Sequence, residues 1–136
     1  MSKSQLMSFL QIGASLAQHL EAHHGIEEAY IFPLLAKKLP QFGKEHLQEH
    51  ATMHQAVEGM GKYIEQCAKK LQNGRAKKGD DDVWPKDIFD EEKMRSHLDH
   101  LRDTLFVHLE HEEASLRPES LKKAGFTEDD IRRIPM

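Results

Sequence analysis

The chain has 136 residues, 38% hydrophobic and 31% charged, with a formal net charge of −4 and one cysteine, Cys67. That length supports one domain with its own core, and the mixed-sign charge, with no basic stripe, argues against nucleic-acid binding. The lone cysteine excludes an internal disulfide and fits a reducing, cytoplasmic setting; no stretch approaches a membrane span or a signal-peptide core.

The first helix is predicted over residues 4–39. Its apolar positions Phe9, Leu16, Leu20, Ile31 and Leu34 keep a 3-and-4 spacing, and the same stripe passes through Gly13, His23 and Glu27. Pro33 predicts a kink near Phe32, Pro40 closes the segment and Gly43 belongs to the turn. The second helix is predicted over residues 44–72, with a seam of Leu47, His50, His54, Val57, Gly61, Ile64, Ala68 and Leu71 and a stop at Asn73-Gly74. Residues 75–87, with Asp80–Asp82, Gly79 and Pro85, read as an exposed loop whose end Trp84 pins to the bundle. The third helix is predicted over residues 87–116, with a seam of Met94, Leu98, Leu101, Leu105, His108, Glu112 and Leu116. Pro118 ends it. Thr127 with Asp130 resembles a capping box and predicts a last short helix over 128–133. The expected fold is all-α: a single domain over 1–136, an antiparallel bundle of three long helices plus a short C-terminal one. An exposed loop over 74–87 and a tail over 119–136 complete it.

Six metal-type side chains fall on the three predicted seams: His23 and Glu27, His50 and His54, His108 and Glu112. Each pair is spaced i, i+4, so both members share a helix face. Burying such groups without partners costs roughly 2–7 kcal/mol each, a heavy charge on a domain whose net stability is about 5–15 kcal/mol. Their levels are compatible. His54 and His108 stand within about two residues of each other when counted from the intervening turn, roughly 3 Å of helix rise. Glu27 and His50 differ by roughly 9 Å, which the Pro33 kink and the turn can absorb. Imidazoles and carboxylates without thiolate suit iron, manganese or zinc. Six ligands exceed the need of one tetrahedral zinc and favour a dinuclear centre.

The segment from His23 to Pro33, HHGIEEAYIFP, resembles the HHxxEExxxFP signature of hemerythrin-like (HHE cation-binding) domains. The segment from His108 to Pro118, HLEHEEASLRP, is similar to the last-helix repeat of that signature, and Glu49-His50 with His54 resembles the middle-helix histidines. The resemblance spans about residues 16–118. It implies a non-haem di-iron site with His23 and His108 as terminal ligands, Glu27 and Glu112 as bridging carboxylates, and His50 and His54 as ligands of the middle helix. Animal hemerythrins place the last carboxylate five residues after its histidine, which would select Glu113; the HHE spacing and the seam favour Glu112. The family usually has a further N-terminal helix carrying one more histidine, and this chain begins inside what should be the second. The resemblance therefore implies a natural protein longer than this chain, a partner chain that supplies the wall, or an incomplete site, with His19 as a replacement for the missing ligand. It also implies an exposed apolar stripe around Phe9, Ile12 and Leu16, which favours a homodimer.

The reading that follows is a non-haem di-iron protein that binds O2 or a related small gaseous or peroxide ligand at an open coordination position, for oxygen or iron storage or sensing. A di-iron oxidoreductase acting on peroxide, NO or O2, and a metal-free helical interaction domain, are the alternatives. Among the other candidates, His24, Glu28 and Glu113 are expected to support the ligands or face solvent. His46, His97, His100 and His111 are expected on seam flanks. Met53, Met60 and Cys67 are expected in or near the core.

Overall fold

The computed structural model describes residues 1–73, 77–79 and 82–134. Gly74, Arg75, Ala76, Asp80 and Asp81 of the expected stop and loop lie outside the described residues. No strand occurs among the described residues, and no helix of theirs is long and apolar enough to cross a membrane.

Helix α1 runs Lys3–Ile26. Ser2 caps it reciprocally: its hydroxyl accepts from the Gln5 N–H at 3.1 Å and the Gln5 side chain accepts from the Ser2 N–H at 2.8 Å. One π turn, Glu27–Ile31, joins α1 to α2, Phe32–Ala36. Pro33 has no N–H to return to the carbonyl four residues back, and the Phe32 N–H reaches back five residues to the Glu27 carbonyl. The expected kink is thus a widened turn, and it resets the buried stripe: Glu27 and Phe32 are both buried although five residues apart.

A 3-10 turn, Pro40–Gly43, leads into α3, Glu45–Gln72. Helix α4, Glu91–Ser115, begins later than expected because Asp90 is its cap, accepting from the Glu92 and Lys93 N–H groups at 3.0 and 3.3 Å. Asp90 is tied to α3 as well: its N–H donates to the Tyr63 hydroxyl at 2.7 Å, and that hydroxyl donates to the Asp90 carbonyl at 3.2 Å. Trp84 holds the loop end, its indole N–H donating to the Met1 carbonyl at 2.9 Å. Beyond α4 lie α5, Pro118–Lys123, and α6, Glu128–Arg132. Helix α6 carries the Thr127–Asp130 capping box. Helix α5 corrects the expected tail: Pro118 does stop α4, but a proline also suits the first turn of a new helix, where no N–H is needed.

Helices α1 and α4 each lie along α3 and share little contact with one another. The buried seam of α3 is His46, His50, Met53, Val57, Met60, Ile64, Cys67 and Leu71. Every second member matches the expected seam, and the positions between are one residue earlier. Helix α1 behaves in the same way, burying Leu10, Ala17 and His24 where Phe9, Leu16 and His23 were expected. Both choices satisfy a 3-and-4 alternation, so spacing alone cannot tell which flank of the common line faces the partner. Contact between α1 and α3 is close: a Cβ on Gly13 would stand 2.7 Å from Ile64 Cδ1. Ile12 and Leu16 are exposed, as the stripe left by a missing wall would be, while Phe9 is partly buried against Phe89, ring centroids 6.2 Å apart.

Two apolar clusters result. The larger, built on Leu6, Leu10, Val57, Met60, Ile64, Leu71, Trp84, Met94 and Leu101, fills the bundle below His50. The smaller, Phe32, Leu35, Leu39 and Phe42, is covered by Leu121, Ala124 and Phe126 of the tail. Lys38 fastens that cover, its ammonium donating to the Gly125 carbonyl at 2.8 Å and to Asp130 at 2.6 Å. Between the clusters lies a buried polar layer.

Candidate metal centre

The polar layer is assembled from three helices at one level. His50 on α3 and His108 on α4 are each about 1% exposed, and their Nε2 atoms face each other at 2.9 Å. Glu27, at the start of the π turn, places Oε2 at 3.2 Å from His50 Nε2. Glu112, one turn beyond His108, places Oε2 at 2.8 Å from His108 Nε2. One ligand atom from each of Glu27, His50, His108 and Glu112 lies within 4.8 Å of the others. Four of the six expected residues therefore converge.

The other two do not enter this group. His23 is 65% exposed and pairs with the opposite oxygen of Glu27, so it stands at the rim. His54 is 59% exposed and sits on the outside of α3, 3.4 Å from Glu21 and 3.6 Å from Glu58. His54 and His108 would stand level only if α3 and α4 met end to end. Instead the Asp90 cap is tied to Tyr63, short of the end of α3, and His108 comes level with His50.

Three further residues belong to the layer. His24 is buried, its ring stacked on His50 with centroids 4.2 Å apart. His46 is buried; its Nδ1 stands 2.7 Å from Glu49 Oε1 and its Nε2 2.8 Å from the Ser115 hydroxyl. Glu49 also holds His111 Nδ1 at 2.5 Å and lies 3.5 Å from His108 Nδ1. A groove of about 600 Å³, lined by His46, Glu49, Thr52, His111 and Ser115, opens beside them. His24 stands next to His23 in the chain and His46 one turn before His50, so both were visible as alternatives; only the choice of flank hid them. Glu49 gave no sequence signal beyond standing next to His50.

Electrostatics follow the packing. Burial, with His50 beside it, drives the His24 pKa down to about 4, so that ring is neutral. For Glu27, burial pushes the carboxyl upward, but the His50 contact and the neighbouring His23 outweigh it and leave it below the usual carboxylate range. For His108, burial pulls downward, while the contacts with Glu112 and Glu49 prevail and hold it above the usual imidazole value. Glu49 is lowered on balance by His46 and His111 against its burial.

The donor set fits a cation on two counts. Glu27 Oε2 and His108 Nδ1 are buried without any hydrogen-bond partner, although buried polar atoms are normally satisfied. In addition, the facing Nε2 atoms can share only one proton between them, and Glu112 competes for it. A cation among Nε2 of His50, Nε2 of His108, Glu27 Oε2 and Glu112 Oε2 would accept all four lone pairs, and the His108 proton would then sit on Nδ1, toward Glu49.

Comparison with family models decides the relationship: residues 2–119 match the hemerythrin HHE cation binding domain. The chain belongs to the hemerythrin HHE family. Comparison with curated proteins and with solved structures gave no match. The hemerythrin assignment accounts for a cation-binding helical domain, and the buried His/Glu cluster is where this hemerythrin domain could hold its metal.

Proposed function

We propose that the chain binds a pair of non-haem metal ions, iron in the first place, and through them O2 or a related small ligand. The observation that carries the reading is the convergence of buried Glu27, His50 and His108 with the half-buried Glu112, and two orphaned polar atoms in the same layer. Two imidazoles and two carboxylates suit iron, manganese or zinc. Glu27 supports a pair rather than a single ion, because one oxygen faces the buried group and the other faces His23 at the rim. In this proposal His54 stays outside the ligand set, and His24 and His46 flank it.

When bound, an iron pair supplies redox chemistry and an open coordination position; the protein supplies everything around it. Phe32 and His24 wall the centre, the Phe32 ring 4.7 Å from that of His50, and the smaller apolar cluster covers it. These groups exclude bulk water from one side. A groove lined by His46, Glu49 and His111 opens beside the layer on another side. The antiparallel hemerythrin-like arrangement we propose also leaves apolar side chains outside, with Ile12 and Leu16 exposed on α1 and Phe106 and Val107 on α4. They favour a second copy of the chain as partner, which light scattering at micromolar concentration would show as a dimer.

The deciding experiment is iron analysis of protein produced with iron, together with its absorption spectrum in air. An iron pair per chain with charge-transfer bands that respond to O2 is the expected result. Stoichiometric zinc alone, or iron without an oxygen response, would remove the oxygen-binding reading.

A further inference from the structure

We infer that Glu28 and Glu49 are positioning residues for the metal centre, each set against the outer ring nitrogen of one of the two buried histidines: Glu28 hydrogen-bonded to His50, and Glu49 placed to receive the His108 proton once a cation takes Nε2. The inference rests on the metal-binding reading above. His50 Nδ1 lies 3.1 Å from Glu28 Oε1, and His108 Nδ1 lies 3.5 Å from Glu49 Oε1. Both rings therefore have the same arrangement: Nε2 inward, toward Glu27 and Glu112, and Nδ1 outward, toward a carboxylate.

The arrangement has a chemical reason. A neutral imidazole that gives its Nε2 lone pair to a cation must carry its proton on Nδ1. Buried at 1–2% exposure, that N–H needs an acceptor. A carboxylate fixes the tautomer, orients the ring and makes Nε2 more basic. Each carboxylate comes from a different helical segment than its histidine. Glu28, in the π turn, reaches His50 on α3, while Glu49 on α3 reaches His108 on α4. The Glu28 hydrogen bond thus fixes the His50 ring and ties two helical segments together, while Glu49 faces His108 Nδ1 at 3.5 Å without a formed hydrogen bond. Glu49 is held in turn, with His46 on Oε1 at 2.7 Å and the exposed His111 on Oε2 at 2.5 Å. Glu28 is 44% exposed and follows the ligand candidate Glu27 directly, so by exposure alone it would pass for a surface carboxylate.

The test uses the full chain and Zn2+, which is redox-silent, so affinity is read apart from any oxygen chemistry. Competition with a chromophoric chelator gives the dissociation constant of wild type, E28A, E28Q, E49A and E49Q. The alanine variants are expected to bind about 10–100-fold more weakly. The glutamine variants, which keep an acceptor oxygen without the charge, should fall between. Long-range nitrogen-15 spectra of the metal-free protein add a readout that packing alone would not move: His50 is expected as the Nδ1–H tautomer in wild type and as a mixture in E28A. The E28A effect should also vanish in a His50→Ala background. Because Glu28 is partly exposed, E28A keeps the fold even if E49A does not. Folded E28A that binds Zn2+ as tightly as wild type, with an unchanged tautomer, overturns the inference alone. Wild type that binds no Zn2+ overturns the inference together with the metal reading.

Discussion

Two stretches of α3 are equally buried and chemically opposite. From Met53 to Leu71 the seam is apolar, with Met60 and Leu71 wholly inaccessible and Val57 and Ile64 nearly so. One turn further toward the N-terminus the same seam carries His50 and His46, just as buried, facing Glu27, Glu49 and His108. The apolar stretch is complete in itself, because each side chain gains by leaving water. Against the polar stretch stand two buried atoms of other segments without hydrogen-bond partners, Glu27 Oε2 and His108 Nδ1. Burial at equal depth thus serves stability in one region and gathers groups that could hold a metal ion in the other.

That contrast can be broken at either end. Met60→Ala, in the middle of the apolar stretch, should cost about 2–5 kcal/mol in chemical denaturation and leave metal affinity per folded molecule unchanged. A parallel loss of affinity would mean that the two regions are not separable.

Acidification should act on the polar layer. The His24 pKa falls from 6.5 unfolded to about 4 folded, chiefly through burial and then His50, so between those values the unfolded chain binds more protons. Its contribution is fully present above about pH 6.5 and is lost as pH falls through about 4, by up to about 3 kcal/mol. Denaturant midpoints of the metal-free protein between pH 7 and 4 should show the slope, and His24→Gln should flatten it. An unaltered slope in that variant would assign the pH response elsewhere.

His50→Ala should weaken metal binding by at least about a hundredfold, beyond the range typical of supporting residues, while costing the metal-free fold less than Met60→Ala does. His54→Ala sets the lower bound: on the solvent side of α3, it should change stability by no more than about 0.5 kcal/mol and leave affinity within about twofold. A large effect at His54 would show that the ligand group extends outward past Glu21.

Much of this was legible in the sequence. Prolines, the stop after residue 72 and the Thr127–Asp130 capping box placed most helix ends, although the Asp90 cap and α5 were not foreseen; the i, i+4 pairing of His108 with Glu112 and the buried positions of Glu27 and His50 lie in the spacing itself. The flank of each seam was not legible. Residues 46, 53 and 60 and residues 47, 54 and 61 alternate equally well around the shared line through 50 and 57, and only the positions of α1 and α4 choose between them. That choice moved His54 to solvent and brought in His46. The same ambiguity on α1 exchanged His23 for His24 at the buried face. Residue chemistry offered a hint, since Met53, Met60 and Cys67 are better core residues than His54, Gly61 and Ala68. The widened turn at Glu27–Ile31 and the ties from Glu28 and Glu49 depend on tertiary contact and leave no periodic trace.

The most direct test of the central claim, that the polar layer is built around a cation, is thermal unfolding of the metal-free protein as Fe2+, Mn2+ or Zn2+ is added. A ligand at a hundred times its dissociation constant stabilises the folded state by about 2.7 kcal/mol, which for a domain of this size raises Tm by roughly 10 °C. The account predicts a rise of that order in wild type and its loss in His50→Ala. A wild-type Tm that none of these ions moves would contradict it.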